Sequence, residues 1–356
     1  MQQNQPWPTT VLTERLGLRF PIVQAPMAAV ATPEMAAAVA RAGGLGGLGL
    51  GTADVATSAT KIRIARQLGA SRLNLNLHLH RRTVQKSAPR ELAHVGSAMA
   101  GEEAGAPTGT GVRHGALPSH AADLDDEWLE LIGEQRPEVV TFHFSPPSAE
   151  TVEHLKSLDV VVGGTATTVA EAQLVEASGC DLVVAQGAEA GGPRGTFTPS
   201  RQSSGVGSMS LIPQVVDAVT IPVIAAGGIA DARTMAAAML LGASGVQAGT
   251  AFLGCIEAAV SRHHLRALRD GHSEDAVVTR TPAGRPARGF RRPATASPPT
   301  TFATYPARAG AERDGFDQAM WAGQSFPLNS TGSAYDVVKL MANGAAALLQ
   351  CTDERS

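Results

Sequence analysis

The sequence predicts an α/β protein whose main part is a (β/α)8 TIM barrel, followed by a small C-terminal helical cap region. The first observation is that short apolar segments alternate with helical segments at intervals of about 20–40 residues, as in βαβ units. The second is that polar or glycine-rich groups follow most of these segments, where a barrel binds its ligands. The eight apolar segments are centred near residues 22, 45, 75, 141, 161, 183, 224 and 246.

The first strand is predicted over residues 20–24 and is followed by Ala25, Pro26 and Met27. Proline donates no backbone hydrogen bond to a sheet ladder, so the strand ends at Pro26. The following alanine-rich helix is predicted to begin after Thr32, a residue type that caps helix N-termini. The Ala-Pro-Met turn therefore lies at the mouth of the predicted barrel.

Two motifs with familiar ligand associations are weak in this sequence. Residues 43–51 contain a GxGxxG spacing, but no acidic residue ends a following strand at the distance that dinucleotide binding needs. His78 and His80 form a His-x-His pair, but no third ligand is evident. We predict neither a Rossmann-type site nor a metal site.

Two strands place polar side chains at the predicted barrel mouth. Residues 73–77 alternate apolar and polar side chains, which presents Asn74 and Asn76 on one face. The strand over residues 139–144 ends at His143. Taken from the residues alone, His143 is either catalytic or simply hydrogen-bonded at the mouth, and both alternatives stay open.

The stretch over residues 181–196 is the most informative part of the chain. An apolar strand over 182–185 runs directly into a polar, glycine-rich loop, which is typical of a ligand-binding strand end. Glycine lets the backbone approach a ligand, and successive N–H groups can hold an anion. The loop contains Gln186, Gly187, Glu189, Gly191, Gly192, Arg194 and Gly195.

Two glycine loops follow the seventh and eighth predicted strands. One contains Gly227 and Gly228, and the other contains Gln247, Gly249 and Thr250. In barrels the loops after these two strands commonly build a phosphate site from backbone N–H groups. A ligand with one terminal phosphate is expected, and FMN is the commonest flavin of that shape. A sugar-phosphate enzyme is disfavoured because lysine is nearly absent from the strand ends.

A flavin held by these two loops would extend toward the other strand ends. The turn that includes Met27, together with Asn76, would lie under or beside the flavin ring. Gln186 could reach the polar edge of the ring. The predicted cofactor site therefore spans the whole mouth of the barrel.

The chain divides into three predicted parts: the FMN-binding barrel over 1–254, a cap or lid over 255–325, and a C-terminal helix over 326–356 that packs back on the barrel. Within the first part, residues 83–123 are irregular, with a partial helix near 88–99 and then a surface loop. Within the second, the basic run over 285–292 predicts a solvated or cofactor-facing loop.

Composition excludes several classes of function. A net charge of −3 and only 4% aromatic residues argue against nucleic-acid binding and against an anionic membrane surface. No apolar segment approaches membrane-spanning length, and the N-terminus does not resemble a signal peptide. Three widely spaced cysteines indicate a reducing compartment. We predict a cytoplasmic protein, with a homodimer as one open alternative for its assembly.

The motifs together resemble the nitronate monooxygenases, formerly called 2-nitropropane dioxygenases, over nearly the whole chain. That resemblance implies a TIM barrel with FMN, a small cap, and oxidation of an alkyl nitronate by O2. It implies FMN contacts from Met27, Asn76, Gln186, Gly191, Gly228, Gln247, Gly249 and Thr250. The motifs lie at residues 21–28, 43–46, 76–77, 141–144, 187–192, 221–229, 242–252, 284–288 and 321–324.

One position departs from the family pattern. The family usually has Glu-Ala-Gly-Gly-His-x-Gly, and Pro193 occupies the histidine position here. In the family that histidine is the base for neutral nitroalkanes or steers the anionic substrate, and proline can do neither. His143 is the best replacement, since it ends a neighbouring strand, and His78 and Arg194 are weaker ones. His143 also belongs to the family pattern, which favours a structural role for it.

Three hypotheses for function follow. The leading one is an FMN-dependent oxidoreductase that oxidises a small nitronate or a similarly acidic carbon with O2. The alternative is an NAD(P)H-dependent flavin reductase that acts on a quinone or an enoyl thioester. The third is a catalytically altered barrel that binds FMN or a metabolite without turning it over.

Overall fold

The computed structural model describes residues 7, 9–79, 123–198, 205–280, 285–290 and 320–353. The predicted partial helix near 88–99 and the loop after it lie outside these residues. So do His80 and the last two residues of the basic run. Boundaries of the three predicted parts stay predictions.

The strands fall into two sheets, a parallel one that forms the barrel and a small antiparallel one beside it. In chain order they are β1 (Ile22–Gln24), β2 (Gly46–Gly49), β3 (Leu73–His78), β4 (Val139–His143), β5 (Val161–Ala166), β6 (Leu182–Gln186), β7 (Gly192–Pro193), β8 (Val223–Ala226), β9 (Gly245–Ala248), β10 (Ala276–Arg280) and β11 (Pro286–Phe290).

Eight strands form the barrel, in the order β1-β9-β8-β6-β5-β4-β3-β2. Its two outer strands meet through a parallel bridge between Val23 and Leu45. The Gln24 side chain adds to this seam, since its amide donates to the Gly47 carbonyl and accepts from the Gly47 N–H, both at 3.0 Å. The predicted TIM barrel and all eight predicted strands are confirmed.

Helices cover the outside of the barrel between the strands. Thr32 and Thr168 cap α2 and α6, as predicted for Thr32, because each hydroxyl accepts from a backbone N–H of the first turn. The helices are α1 (Val11–Leu16), α2 (Pro33–Ala42), α3 (Val55–Gln67), α4 (Asp126–Gln135), α5 (Ala149–Ser157), α6 (Val169–Ala177), α7 (Ser208–Ala218), α8 (Ala232–Leu240), α9 (Arg262–Asp270) and α10 (Ala334–Asp353).

Side chains fill the interior of the barrel, so it is a packed core and not a pore. One buried cluster joins inward-facing residues of the strands, such as Val139, Leu182 and Ile224, to Leu12 and Leu16 of α1. The other main clusters lie between the strands and the surrounding helices. Within the described ranges, no helix combines the length and hydrophobicity needed to cross a membrane.

The cap region contains a helix, as predicted, and also a sheet that the sequence did not reveal. Strand β11 pairs with β10 on one side and with β7 on the other, all antiparallel. Residues 286–290 form a buried strand, so the prediction of a loop, solvated or cofactor-facing, is wrong for this part of the basic run. Helix α10 packs against α8 and α2.

The glycines of β2 can be tested as packing residues. A Cβ on Gly46 would lie 2.3 Å from the Ala36 carbonyl oxygen of α2, so we expect Gly46→Ala to destabilise the fold by about 1–3 kcal/mol. Urea unfolding measures this as a lower urea concentration at the unfolding midpoint than for the native chain. Gly133→Ala in α4 is the matched control, because its Cβ would meet only Leu158 at 3.8 Å. Equal midpoints for the two variants would contradict the packing argument.

Candidate active site

One cavity of about 210 Å³ lies at the C-terminal ends of the barrel strands. A single buried water needs only about 10–15 Å³, so the cavity has room for a much larger ligand. The structure brings the predicted cofactor-binding residues to its wall together with His143 and Pro193, whereas Arg194 does not line it. These wall residues are Ala25, Pro26, Met27, Asn76, His143, Gln186, Gly191, Gly192, Pro193, Gly227, Gly228, Gln247, Gly249 and Thr250. Residues from strand ends far apart in the chain therefore share one site.

The loops after β8 and β9 present unused donors to this cavity. The backbone N–H groups of Gly228, Ile229, Gly249 and Thr250 donate to no acceptor within the described residues. All four residues line the cavity. Because unpaired N–H groups are costly when they face no solvent or ligand, a cluster of them at two loop ends fits an anion such as a phosphate.

A segment at the end of the predicted cap contacts the same loops, and sequence reasoning missed these contacts. The Gly323 N–H donates to the Thr250 hydroxyl at 2.9 Å, and Asn329 Nδ2 donates to the Thr250 carbonyl at 2.7 Å. The Ser325 hydroxyl donates to the Gly228 carbonyl at 3.1 Å. Short polar residues in a turn carry no sequence pattern that would place them here.

Gln186 lines the cavity and also holds the loop that follows β6. Its Nε2 donates to the Pro193 carbonyl at 3.2 Å, and its Oε1 accepts from the Gly195 N–H at 2.8 Å. Sequence analysis assigned Gln186 to a ligand's polar edge. The structure adds a second role, in which the same amide fixes where Pro193 lies.

Arg194 is buried and binds the backbone at the start of this loop. Its guanidinium donates to the carbonyl oxygens of Gln186 and Gly187. Burial lowers the pKa of Arg194 to about 10, and the attraction of Glu171 partly opposes this, so the side chain stays charged at neutral pH. Arg194 therefore supports the loop, which leaves it poorly suited to act as a base.

Glu171 holds the end of the loop with a fully buried carboxylate. It accepts six hydrogen bonds from the backbone and hydroxyl groups of Thr167, Thr196, Phe197 and Thr198. Burial alone would raise the pKa of Glu171, but these hydrogen bonds outweigh it and the pKa is lowered. The carboxylate is thus ionised and committed to structure.

Glu189 links the loop to the start of α7. Its carboxylate accepts from the Ser208 N–H and hydroxyl, each at 2.9 Å. Helix α7 has Gly207 at its N-cap, which offers no capping side chain, so Glu189 supplies that cap from another part of the chain. A carboxylate in the cavity wall is in this way occupied by the fold.

His143 lies in the cavity wall between β5 and the loop. Its Nε2 is 3.3 Å from the Pro193 carbonyl oxygen, and its Nδ1 is 3.1 Å from the Thr165 hydroxyl. A carbonyl oxygen only accepts, so Nε2 carries a proton, and in the neutral imidazole Nδ1 then accepts from Thr165. Both ring nitrogens therefore have protein partners, which favours the structural alternative for His143 over the role of base.

Aromatic and cationic groups surround His143. Phe144 has a positive φ of 74°, an uncommon conformation for a bulky residue that clusters at functional sites. Its ring lies 4.4 Å from the His143 ring and 4.9 Å from the His78 ring. The guanidinium carbon of Arg285 lies 4.2 Å from the centre of the Phe144 ring. This cluster leaves His78 packed among rings.

His264, on cap helix α9, is a cavity residue that sequence analysis did not single out. Its exposed fraction is only 6%, and its Nε2 has no hydrogen-bond partner within the described residues. Burial lowers the pKa of His264 to about 4, and a hydrogen bond to the Trp321 backbone partly opposes this. His264 is therefore neutral at physiological pH. A lone histidine in a helix gives no signal by which it could have been found.

Comparison with known proteins identifies the family. The family model for nitronate monooxygenase matches residues 9–343. This chain belongs to the nitronate monooxygenase family. A nitronate monooxygenase of Paraburkholderia phytofirmans is 36% identical over 345 residues, covering 91% of each chain. Another, from Pseudomonas aeruginosa, is 39% identical over 286 residues, covering 79% of this chain and 80% of that one.

Solved structures agree with this assignment. A nitroalkane oxidase of Streptomyces ansochromogenes is similar with a TM-score of 0.74 and 31% identity, covering 96% of this chain and 99% of that chain. FabK from Thermotoga maritima is similar with a TM-score of 0.74 and 26% identity, covering 98% and 100%. The predicted resemblance is confirmed, and membership of this family makes the protein a flavin-dependent oxidoreductase.

The neutral state of His264 predicts a pH-dependent stability. The pKa of His264 is near 4 in the folded protein and about 6.5 in the unfolded chain, so its full contribution to the free energy of unfolding is present above pH 6.5. That contribution is lost as pH falls toward 4, by about 3 kcal/mol in total. Urea unfolding between pH 7 and 4 should show that the free energy of unfolding falls less for His264→Phe than for the native chain.

The neighbouring His263, only half-buried, offers a matched control for this measurement. His263→Phe should keep the steep loss of stability toward pH 4. If both variants lost stability toward pH 4 as the native chain does, burial of the His264 imidazole would not be the cause of that loss.

Proposed function

We propose that this protein is an FMN-dependent enzyme that oxidises a small nitronate, or a similarly acidic carbon, with O2. The observation that carries the proposal is that the loops with free N–H groups and the family's other motif residues meet at one large cavity. Family membership supports the reaction type. A cytoplasmic location is part of the proposal, and a homodimer is one alternative for its assembly.

The residues of the cavity fit FMN. The free N–H groups of Gly228, Ile229, Gly249 and Thr250 would hold its phosphate. The Gln247 side chain lines the cavity and has no hydrogen bond within the described part of the chain, so its amide is available to the cofactor. Bound FMN supplies an electron acceptor that O2 can reoxidise, and the protein supplies position and electrostatics.

The surroundings of Pro193 favour a substrate that is already an anion. No residue here offers the imidazole that the family places at this position, and His143 has partners on both ring nitrogens. Arg194 and Arg288 are buried behind the loop, and neither forms a salt bridge with a described carboxylate. Their positive charges would favour an anion nearby, because buried charges are poorly screened, and Glu171 and Glu189 compensate part of this effect.

The second candidate is the NAD(P)H-dependent flavin reductase that acts on a quinone or an enoyl thioester. The similarity to FabK, which covers the whole fold at 26% identity, is the observation that favours it.

Anaerobic mixing separates the two candidates. The proposal expects the flavin absorbance to bleach with a nitronate and not with NADH or NADPH. Bleaching by a reduced nicotinamide alone would replace our proposal with the second candidate. The third alternative, a non-catalytic flavin binder, predicts bleaching by neither.

Substrate ionisation is the sharpest test of the proposed reaction. We expect O2 uptake with pre-ionised propyl-2-nitronate and little or none with neutral 2-nitropropane. Pro193 offers no proton acceptor where the family's base is expected, and burial lowers the pKa of the cavity residue His264 to about 4, which makes its imidazole a weak base. An oxygen electrode measures both rates on the same flavin-loaded protein. Similar rates on the two forms would contradict the proposal.

Pro193→His tests whether the missing imidazole alone causes this preference. The contacts that His143 and Gln186 make at position 193 are with its carbonyl oxygen, which the substitution keeps. A positioned base contributes about 10²–10⁴-fold, so activity on the neutral nitroalkane should rise by about 10²-fold or more. Pro193→Ala is the control and should show no rise. Unchanged activity with flavin still bound would assign the chemistry to other residues.

A further inference from the structure

Beneath the cofactor cavity, three buried polar side chains form a chain of hydrogen bonds inside the barrel. Asn76 Nδ2 donates to the Thr141 hydroxyl at 2.9 Å and to the Thr141 carbonyl at 3.2 Å. The Thr141 hydroxyl donates to Asn74 Oδ1 at 3.0 Å. Asn74 and Asn76 are two residues apart on β3, so both point inward, and Thr141 lies opposite Asn76 on β4.

The direction of these bonds fixes how the Asn76 amide is turned. A threonine hydroxyl has one proton, and here that proton goes to Asn74. The same oxygen must therefore accept from Asn76, which requires Nδ2 of Asn76 to face Thr141. The other end of the amide, the acceptor Oδ1, is then available to the cofactor cavity that Asn76 lines. Asn74 sets this orientation without lining the cavity itself.

A second, small cavity of about 10 Å³ lies in the barrel interior below the first. That volume is close to what one water occupies. Asn74, Thr141 and Gln247 line it among apolar side chains, and Thr141 and Gln247 also line the large cavity. Asn74 is 1% exposed, and its Nδ2 has no hydrogen-bond partner within the described residues. Buried amide donors are almost always satisfied, by protein or by an ordered water.

We propose that Asn74 and Thr141 are positioning residues for the flavin site and that Asn74 binds one water in the small cavity. The water accepts from Asn74 Nδ2, and Thr141 and Gln247 are its other polar partners. The chain of hydrogen bonds presents the Asn76 carbonyl oxygen to the flavin as an acceptor, suited to an N–H group of the ring. This inference rests on the proposed function for the identity of the ligand.

The water is tested directly by a high-resolution crystal structure of the protein, with or without flavin. We expect one ordered water within hydrogen-bonding distance of Asn74 Nδ2, and the same water absent from Asn74→Leu. A dry cavity in the native protein would overturn the water site. This measurement does not require flavin binding, so it still decides the water site if the proposed function fails.

The positioning role is tested by the dissociation constant for FMN, measured by quenching of flavin fluorescence. Asn74→Leu removes the acceptor for Thr141, which can then donate to Asn76 and turn its amide around. We expect about tenfold weaker FMN binding and a shifted flavin midpoint potential. Ile224→Val alters an apolar side chain of the same small cavity and should change the dissociation constant by less than about twofold. Native affinity and potential in a folded Asn74→Leu would overturn the proposal.

A matched pair at Thr141 guards against a variant that merely misfolds. Thr141→Ser keeps the hydroxyl and should keep native FMN affinity, whereas Thr141→Val removes it and should weaken binding as Asn74→Leu does. Thermal unfolding of all four variants establishes that they are folded at the assay temperature. Equal affinities for the serine and valine variants would show that the hydroxyl does not orient Asn76. If the native protein itself did not bind FMN, the proposed function would be refuted instead.

Discussion

Two buried charged side chains determine the shape of the loop over residues 187–198, and the active site depends on that shape. Arg194 holds the carbonyl oxygens at the start of the loop, and Glu171 holds the backbone at its end. Charge-assisted bonds of this kind are strong, and removing either partner leaves the other buried and unpaired. The fixed loop places the backbone of β7 where strand β11 of the cap pairs with it. The barrel, the cap and the cavity wall therefore share one support.

This arrangement explains how the fold accommodates proline at position 193, where the motif resemblance implies a histidine. Three neighbours use the backbone of the loop here: His143 and Gln186 both bind the carbonyl oxygen of Pro193, and Pro286 accepts from the Arg194 N–H. None of these contacts involves the side chain of residue 193. The fold of this loop therefore does not depend on which side chain residue 193 carries, which separates the fold of the loop from its chemistry.

The sequence predicted most of the barrel because its physical causes are local. Each feature that predicts it is a pattern of residues that lie close together in the chain. Examples are the apolar runs, helix caps such as Thr32, and the glycine loops at Gly228 and Gly249. The cap sheet was not predictable in this way, since β7 has two residues and pairs with a strand almost a hundred residues later. His264 and Asn329 were missed for the same reason: their importance comes from burial and from partners in distant segments. The partners of His143 likewise emerged only from three-dimensional contacts.

The electrostatics of the site follow from which buried groups the fold has satisfied. Glu171 and Glu189 are carboxylates whose oxygens are engaged by N–H and O–H donors, while Arg194 and Arg288 spend their donors on backbone carbonyls. Carbonyl oxygens carry only partial charge, so they compensate a guanidinium less completely than a carboxylate would. His264 stays neutral and adds no charge. Glu171 and Glu189 compensate the two guanidinium charges only in part and through space, and a substrate that is already an anion would need no base before it transfers its electrons.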